Sequence, residues 1–138
     1  MKNLIKKHAE KLRFGLVGVI NTAIDFGILF LLVKAFNLPA IGSNYISTSV
    51  ALVFSFFANK KFTFKNNSSN QVKQFAVFLA ITLIGLWIIQ PLIINGSEIL
   101  FEKIALNTDL SLLISKLLAT IASLIWNYLM YRKFVFAD

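Results

Sequence analysis

Asp25 stands near the middle of residues 14–33, a run otherwise almost wholly apolar. As a helix such a run covers about 30 Å, the thickness of a bilayer's hydrocarbon core. A carboxylate at that depth costs roughly 3 kcal/mol or more, so it belongs against protein or trapped water, where intramembrane ionisable groups ordinarily serve a function. Two readings are open: Asp25 controls the passage of something, or it is a hydrogen-bonded acid that holds helices together. Gly15, Gly18, Thr22 and Asp25 share one helical face, with Asn21 beside them. The glycines let a second helix approach, and the polar groups can be satisfied across that contact.

The other residues with chemical capacity are cations at the ends of apolar runs. Lys60 and Lys61 follow one run, and Arg132 and Lys133 follow another. Both pairs stand at the point where a span leaves the membrane. The plain reading for each is topology plus attraction to anionic lipid. Lys116 lies a few residues outward of Asp25 by helical count, so it either pairs with that acid or snorkels to the interface. The chain has no cysteine, which removes disulfides, thiolate nucleophiles and Cys-based metal sites, and its one histidine, His8, lies in the basic N-terminal segment. No nucleophile–base pair, phosphate loop or metal cluster is visible, so neither an enzyme nor a cofactor is expected.

The elements that position these residues are membrane spans. Of 138 residues, 57% are hydrophobic, too many for a soluble domain of this size to hide. Hydropathy predicts four helices over residues 14–36, 40–58, 75–94 and 110–131 of a single membrane domain, 1–138. The first run is too long for a cleaved signal peptide and should be retained. Within the third link, residues 99–106 have an apolar side and could lie in the interface as a short helix. Pro91 either kinks the third span or frees a carbonyl there, or it marks the span's outer end.

The net charge of +8 reads as topology rather than nucleic-acid binding. Lys2, Lys6, Lys7, Lys11 and Arg13, the middle-loop Lys60, Lys61, Lys65 and Lys73, and the C-terminal Arg132 and Lys133 fall on one side. Only Lys34, Lys103 and Lys116 fall on the other. The positive-inside rule then places both termini and the middle loop in the cytoplasm, with the protein multi-pass in the cell's inner membrane.

An internal repeat is visible at an offset of 72 residues. Lys60, Lys61, Phe62, Thr63 and Phe64 correspond to Arg132, Lys133, Phe134, Val135 and Phe136. The same offset pairs a stripe of Asn44, Thr48, Ala51, Ser55 and Asn59 with Lys116, Thr120, Ser123, Asn127 and Tyr131. Arg13 and Phe14 align with Gln74 and Phe75, but Asp25 falls opposite Leu86. The expected fold is thus all-α, a four-helix membrane bundle of two repeated hairpins related by an axis along the membrane normal. Helix pairing and a shared polar cavity account equally for the stripes. A homo-oligomer would help build such a cavity.

These segments resemble the GtrA-like family of small four-span membrane proteins. The resemblance rests on Arg13, Phe14, Gly15 and Gly18 leading to Asn21, Thr22, Asp25 and Phe26, and on the two exits, Ser55 to Phe64 and Asn127 to Phe136, in the right order and spacing. Ser55 stands where the family often has Asn, and Phe62 and Phe134 where it often has Trp or Tyr. The resemblance implies translocation of a polyprenyl-phosphate-linked sugar from the cytoplasmic to the outer leaflet, for glycosylation of surface polysaccharide or teichoic acid, with a membrane glycosyltransferase as partner. On that reading Lys60, Lys61, Arg132 and Lys133 capture the phosphate, Asn21, Thr22, Thr48, Ser55, Ser123 and Asn127 bond sugar hydroxyls, and Asp25, with Lys116, controls passage. Two other functions fit the residues: an anchor that recruits a glycosyltransferase, and a proton-coupled exporter of small cations.

Overall fold

The computed structural model describes residues 1–137, for Lys2 the backbone alone. All regular structure among them is helical. The α-helices are α1 (Lys2–Phe30), α2 (Ala40–Ala58), α3 (Gln71–Ile84), α4 (Gln90–Lys103) and α5 (Thr108–Met130). Short π-helical turns extend α1 (Leu31–Ala35), α2 (Asn59–Thr63) and α5 (Tyr131–Val135), and a fourth (Gly85–Ile89) joins α3 to α4. Four continuous segments result: Asn3–Ala35, Ala40–Thr63, Gln71–Lys103 and Thr108–Val135, each long and apolar enough to cross a membrane. Even the shortest, with 24 residues, reaches about 36 Å. Exposed Val19, Leu117 and Ile125 on the helix flanks suit hydrocarbon and not water.

The third span differs from its sequence expectation. It does not end at Pro91, and residues 99–103 are no separate interfacial helix but the last turn of α4. Pro91 sits in the first turn of α4, immediately after the π turn. There the ladder has already shifted, the Gln90 amide donating to the Gly85 carbonyl five residues back. The wider turn accommodates a residue that lacks an N–H and would crowd a regular α-turn.

Helix ends are built locally. Asn107 caps α5, its side-chain oxygen accepting from the Asp109 and Leu110 amides at 2.9 and 3.4 Å. Asn37, Lys65 and Ala105 each have φ 52°, the left-handed conformation that closes a helix C-terminus. After Ala105, the Leu106 amide donates to the Phe101 carbonyl; after Lys65, the Asn66 amide reaches one residue further back, to Lys60, because the preceding turn is π-helical. A left-handed alanine carries a steric cost that glycine lacks. Ala105→Gly should therefore stabilise the protein by about 1 kcal/mol, read as a higher unfolding temperature in detergent; a lower one would contradict this turn geometry.

The chain forms two compact units, Met1–Ser69 and Asn70–Ala137. In the first, α1 packs along α2; in the second, α3 and α4 pack against α5. Besides Phe56 and Lys60, the buried positions on α2 and its π turn are Ser43, Ser47, Ala51, Asn59 and Thr63; those on α5 and its π turn include Ser111, Ser115, Ala119, Ser123, Tyr131 and Val135. This corrects the phase of the expected stripe. Asn44, Lys116 and Thr120 are exposed and Thr48 is half-buried. The expected stripe contains one step of three; the buried line keeps a step of four, the ridge along which helices interlock. The Thr120 hydroxyl instead donates to the Lys116 carbonyl of its own helix at 2.8 Å.

Candidate functional site

In the first unit, Asn21 and Asp25 lie one turn apart on α1 and thus on one face. The Oδ1 atom of each is buried without a hydrogen-bond partner. A buried acceptor left unmade costs about 1–3 kcal/mol. The pair is therefore a place able to receive donors, such as hydroxyls or a proton-bearing group. Thr22, the third α1 residue expected there, is exposed, and its hydroxyl donates to the Gly18 carbonyl at 3.0 Å.

The far end of α2 is more tightly built than its sequence suggests. The Asn59 amide nitrogen donates to the Ser55 carbonyl and hydroxyl at 2.9 and 3.2 Å. That leaves Asn59 Oδ1 and Thr63 Oγ1 as buried acceptors without partners. Lys60 is only 3% exposed, and its ammonium donates to the Ser68 carbonyl at 2.5 Å, which pins the following loop to the helix end. Lys61, its neighbour, is exposed. Arg13 Nη2 donates to the Thr63 carbonyl at 3.4 Å, while Phe14 and Phe64 meet at 6.4 Å between ring centroids.

The second unit uses different residues for the same join. Gln74 Nε2 donates to the Val135 carbonyl at 3.0 Å. Val135 follows Thr63 by the 72-residue offset, and Gln74 is the residue aligned with Arg13. Thr82 and Tyr131 share a hydrogen bond of 2.5 Å, and Tyr131 stacks on Phe78 at 4.5 Å. Trp126 Nε1 donates to the Ile81 carbonyl at 3.1 Å. These contacts fix α5 where Ser123 is buried and Asn127 holds a buried, unpartnered Oδ1. Lys116 is exposed near the other end of α5. Arg132 and Lys133 are exposed at this end, with the Lys133 ammonium 5.1 Å from the Phe134 ring centroid.

Gly85 is the one glycine packed closely against neighbouring side chains. A Cβ there would lie 2.8 Å from Ser123 Oγ and 3.0 Å from Asn127 Oδ1. Gly85→Ala must displace both side chains and should lower stability by about 1–3 kcal/mol, measured as a fall in unfolding temperature; an unchanged temperature would mean the π turn absorbs the methyl group.

Sequence reasoning missed Arg13 and Gln74 as the residues that tie each hairpin's ends, though their alignment was the available signal. It also missed Gly85 and the Thr82–Tyr131 pair, which no local pattern announces. Among the described residues, no group of three or more His, Cys, Asp or Glu side chains is placed to hold a metal.

Four long apolar helices that carry polar groups in their interior positions define a multi-pass membrane protein. The chain belongs to the GtrA/DPMS transmembrane domain family, whose description matches residues 13–136. It is 33% identical over 126 residues to the Uncharacterized membrane protein YngA of Bacillus subtilis (strain 168), covering 91% of this chain and 78% of that one.

Proposed function

We propose that the protein moves a polyprenyl-phosphate-linked sugar from the cytoplasmic to the outer leaflet of the inner membrane, with both termini and the link between α2 and α3 in the cytoplasm. The family's broad link to glycosylation that draws on polyprenyl-linked sugars supplies the substrate class. The observation that carries the reading is the set of buried, unpartnered oxygens of Asn21, Asp25 and Asn127 within the spans. A sugar headgroup is rich in hydroxyl donors, and hydrocarbon offers them nothing. The lipid tail stays in the bilayer. Exposed Lys61, Arg132 and Lys133 at the exits receive the phosphate electrostatically. The matched hydrogen bonds of Arg13 and Gln74 support reading the two hairpins as copies of one unit.

A membrane glycosyltransferase would load the lipid on the cytoplasmic side. Depleting the protein from cells should then leave sugar-loaded lipid accumulated while the surface glycan loses that sugar. If the loaded lipid falls together with the surface sugar, the protein acts before loading, as a transferase anchor would, and the transport reading fails.

A further inference from the structure

The tip of the second hairpin holds a cavity of about 620 Å³, lined by Asn95, Glu98, Glu102, Thr108 and Ser111, with Ile99 and Leu106 as its apolar part. It lies between the end of α4 and the start of α5. Counting about 30 Å along the helix from Phe75 reaches Asn95, so the cavity stands at the membrane boundary far from the start of α3. Ser111 is 7% exposed, yet no described residue bonds its hydroxyl. The side chains of Asn95, Glu98, Glu102 and Thr108 likewise have no hydrogen-bond partner among the described residues. Two hydroxyls, an amide and two carboxylates thus line one concave space that opens to solvent, Asn95, Glu102 and Thr108 being exposed, and none of them is taken up by another of the described residues.

We infer that this cavity binds a polyhydroxylated headgroup without negative charge, a neutral or amino-bearing sugar, on the side where the transported headgroup emerges. The inference rests on the transport reading for the ligand's source. The volume falls in the range of small-molecule sites. It is wide for a bare cation, whose oxygen ligands stand about 2.3–2.6 Å away. Carboxylates accept hydrogen bonds from sugar hydroxyls and amines, Asn95, Thr108 and Ser111 both donate and accept, and Ile99 and Leu106 suit the C–H face of a pyranose. Two carboxylates on successive turns of α4 repel a phosphate or a uronic acid. The cavity therefore holds the sugar and leaves the phosphate outside.

The test is saturation-transfer NMR on the full chain in phosphatidylcholine nanodiscs. The probes are a methyl hexoside, its amino analogue and its uronic acid. The first two should bind and the uronic acid should bind at least about fivefold more weakly, since each like charge opposes it. Combining Glu98→Gln with Glu102→Gln should weaken the amino sugar about tenfold and bring the uronic acid level with the hexoside. A purely structural role would not exchange the charge preference. Equal binding of the uronic acid by the unaltered protein, or no response to the double substitution, overturns the inference. A short-chain polyprenyl-phosphoryl hexose, added last, should displace the methyl hexoside if the site takes lipid-linked sugar; failure to displace it shows that the site takes free sugar and overturns its placement on the transport route. Headgroup crossing in vesicles without any glycoside binding would remove this site and leave transport standing; glycoside binding without crossing would do the reverse.

Discussion

Asp25→Asn is expected to slow headgroup translocation at least about tenfold while leaving the helices intact. The change preserves size and leaves one oxygen where Asp25 Oδ1 is buried without a partner. What it removes is the capacity to hold a charge or a proton. Hydrogen bonds to a charged group contribute about 1.5–3 kcal/mol, and 1.4 kcal/mol corresponds to a factor of ten. If Asp25 merely holds helices together, the amide can hydrogen-bond in its place and transport continues. The rate in vesicles must be read beside circular dichroism and an unfolding curve in detergent. A folded Asp25→Asn protein that transports normally would rule out control of passage by this residue.

The second large effect separates two adjacent lysines. Lys61→Gln combined with Lys133→Gln should weaken binding of a polyprenyl-phosphate lipid about tenfold or more, with little change in stability and a flatter dependence on salt. Both residues are exposed at pseudo-equivalent exits. Lys60→Gln should do the opposite. Its ammonium is buried and bonded to the Ser68 carbonyl, so its removal loosens the loop and lowers stability by about 1.5–3 kcal/mol. Lipid binding measured by native mass spectrometry, with unfolding measured in parallel, distinguishes these results. Unchanged lipid affinity in the double variant would leave the basic exits with topology as their only role.

Much of the fold was legible because hydrocarbon enforces it. Twenty or so apolar residues in a row have few options other than a helix across the bilayer, and the short link at residues 36–39 forces the first two helices into a hairpin. The offset between the exits was legible because both keep the same basic and aromatic order. The phase of the buried stripe was less so. Steps of three and four both stay near one face, and only packing selects the continuous step of four that buries Ser43 and Ser47 in place of Asn44 and Thr48. Of the readings of Pro91, only a helix end is overturned, because α4 runs on to Lys103; the disturbance of the regular ladder lies in the π turn just before it, and that turn has no compositional signature.

For the candidate site, Asp25, Asn21 and Asn127 stand out in the sequence by depth and polarity, and each holds a buried oxygen without a partner. Lys60 was not: sequence marks a cation at a helix end but not the carbonyl that folds back to meet it. The cavity at the tip of the second hairpin was also hidden. Its carboxylates, amide and hydroxyls are spread over residues 95–111 and converge only because α4 runs on to Lys103 before the chain turns.

The most direct measurement is headgroup crossing in sealed proteoliposomes that contain this protein alone. A short-chain polyprenyl-phosphoryl sugar is loaded in both leaflets, and a membrane-impermeant reagent attacks the exposed sugar. With the protein present, the protected half of the pool should become reactive at a rate well above that of protein-free vesicles. A protected pool that persists as it does in empty vesicles, with the protein folded and hexose, amino-sugar and pentose headgroups all tried, would contradict translocation by this chain.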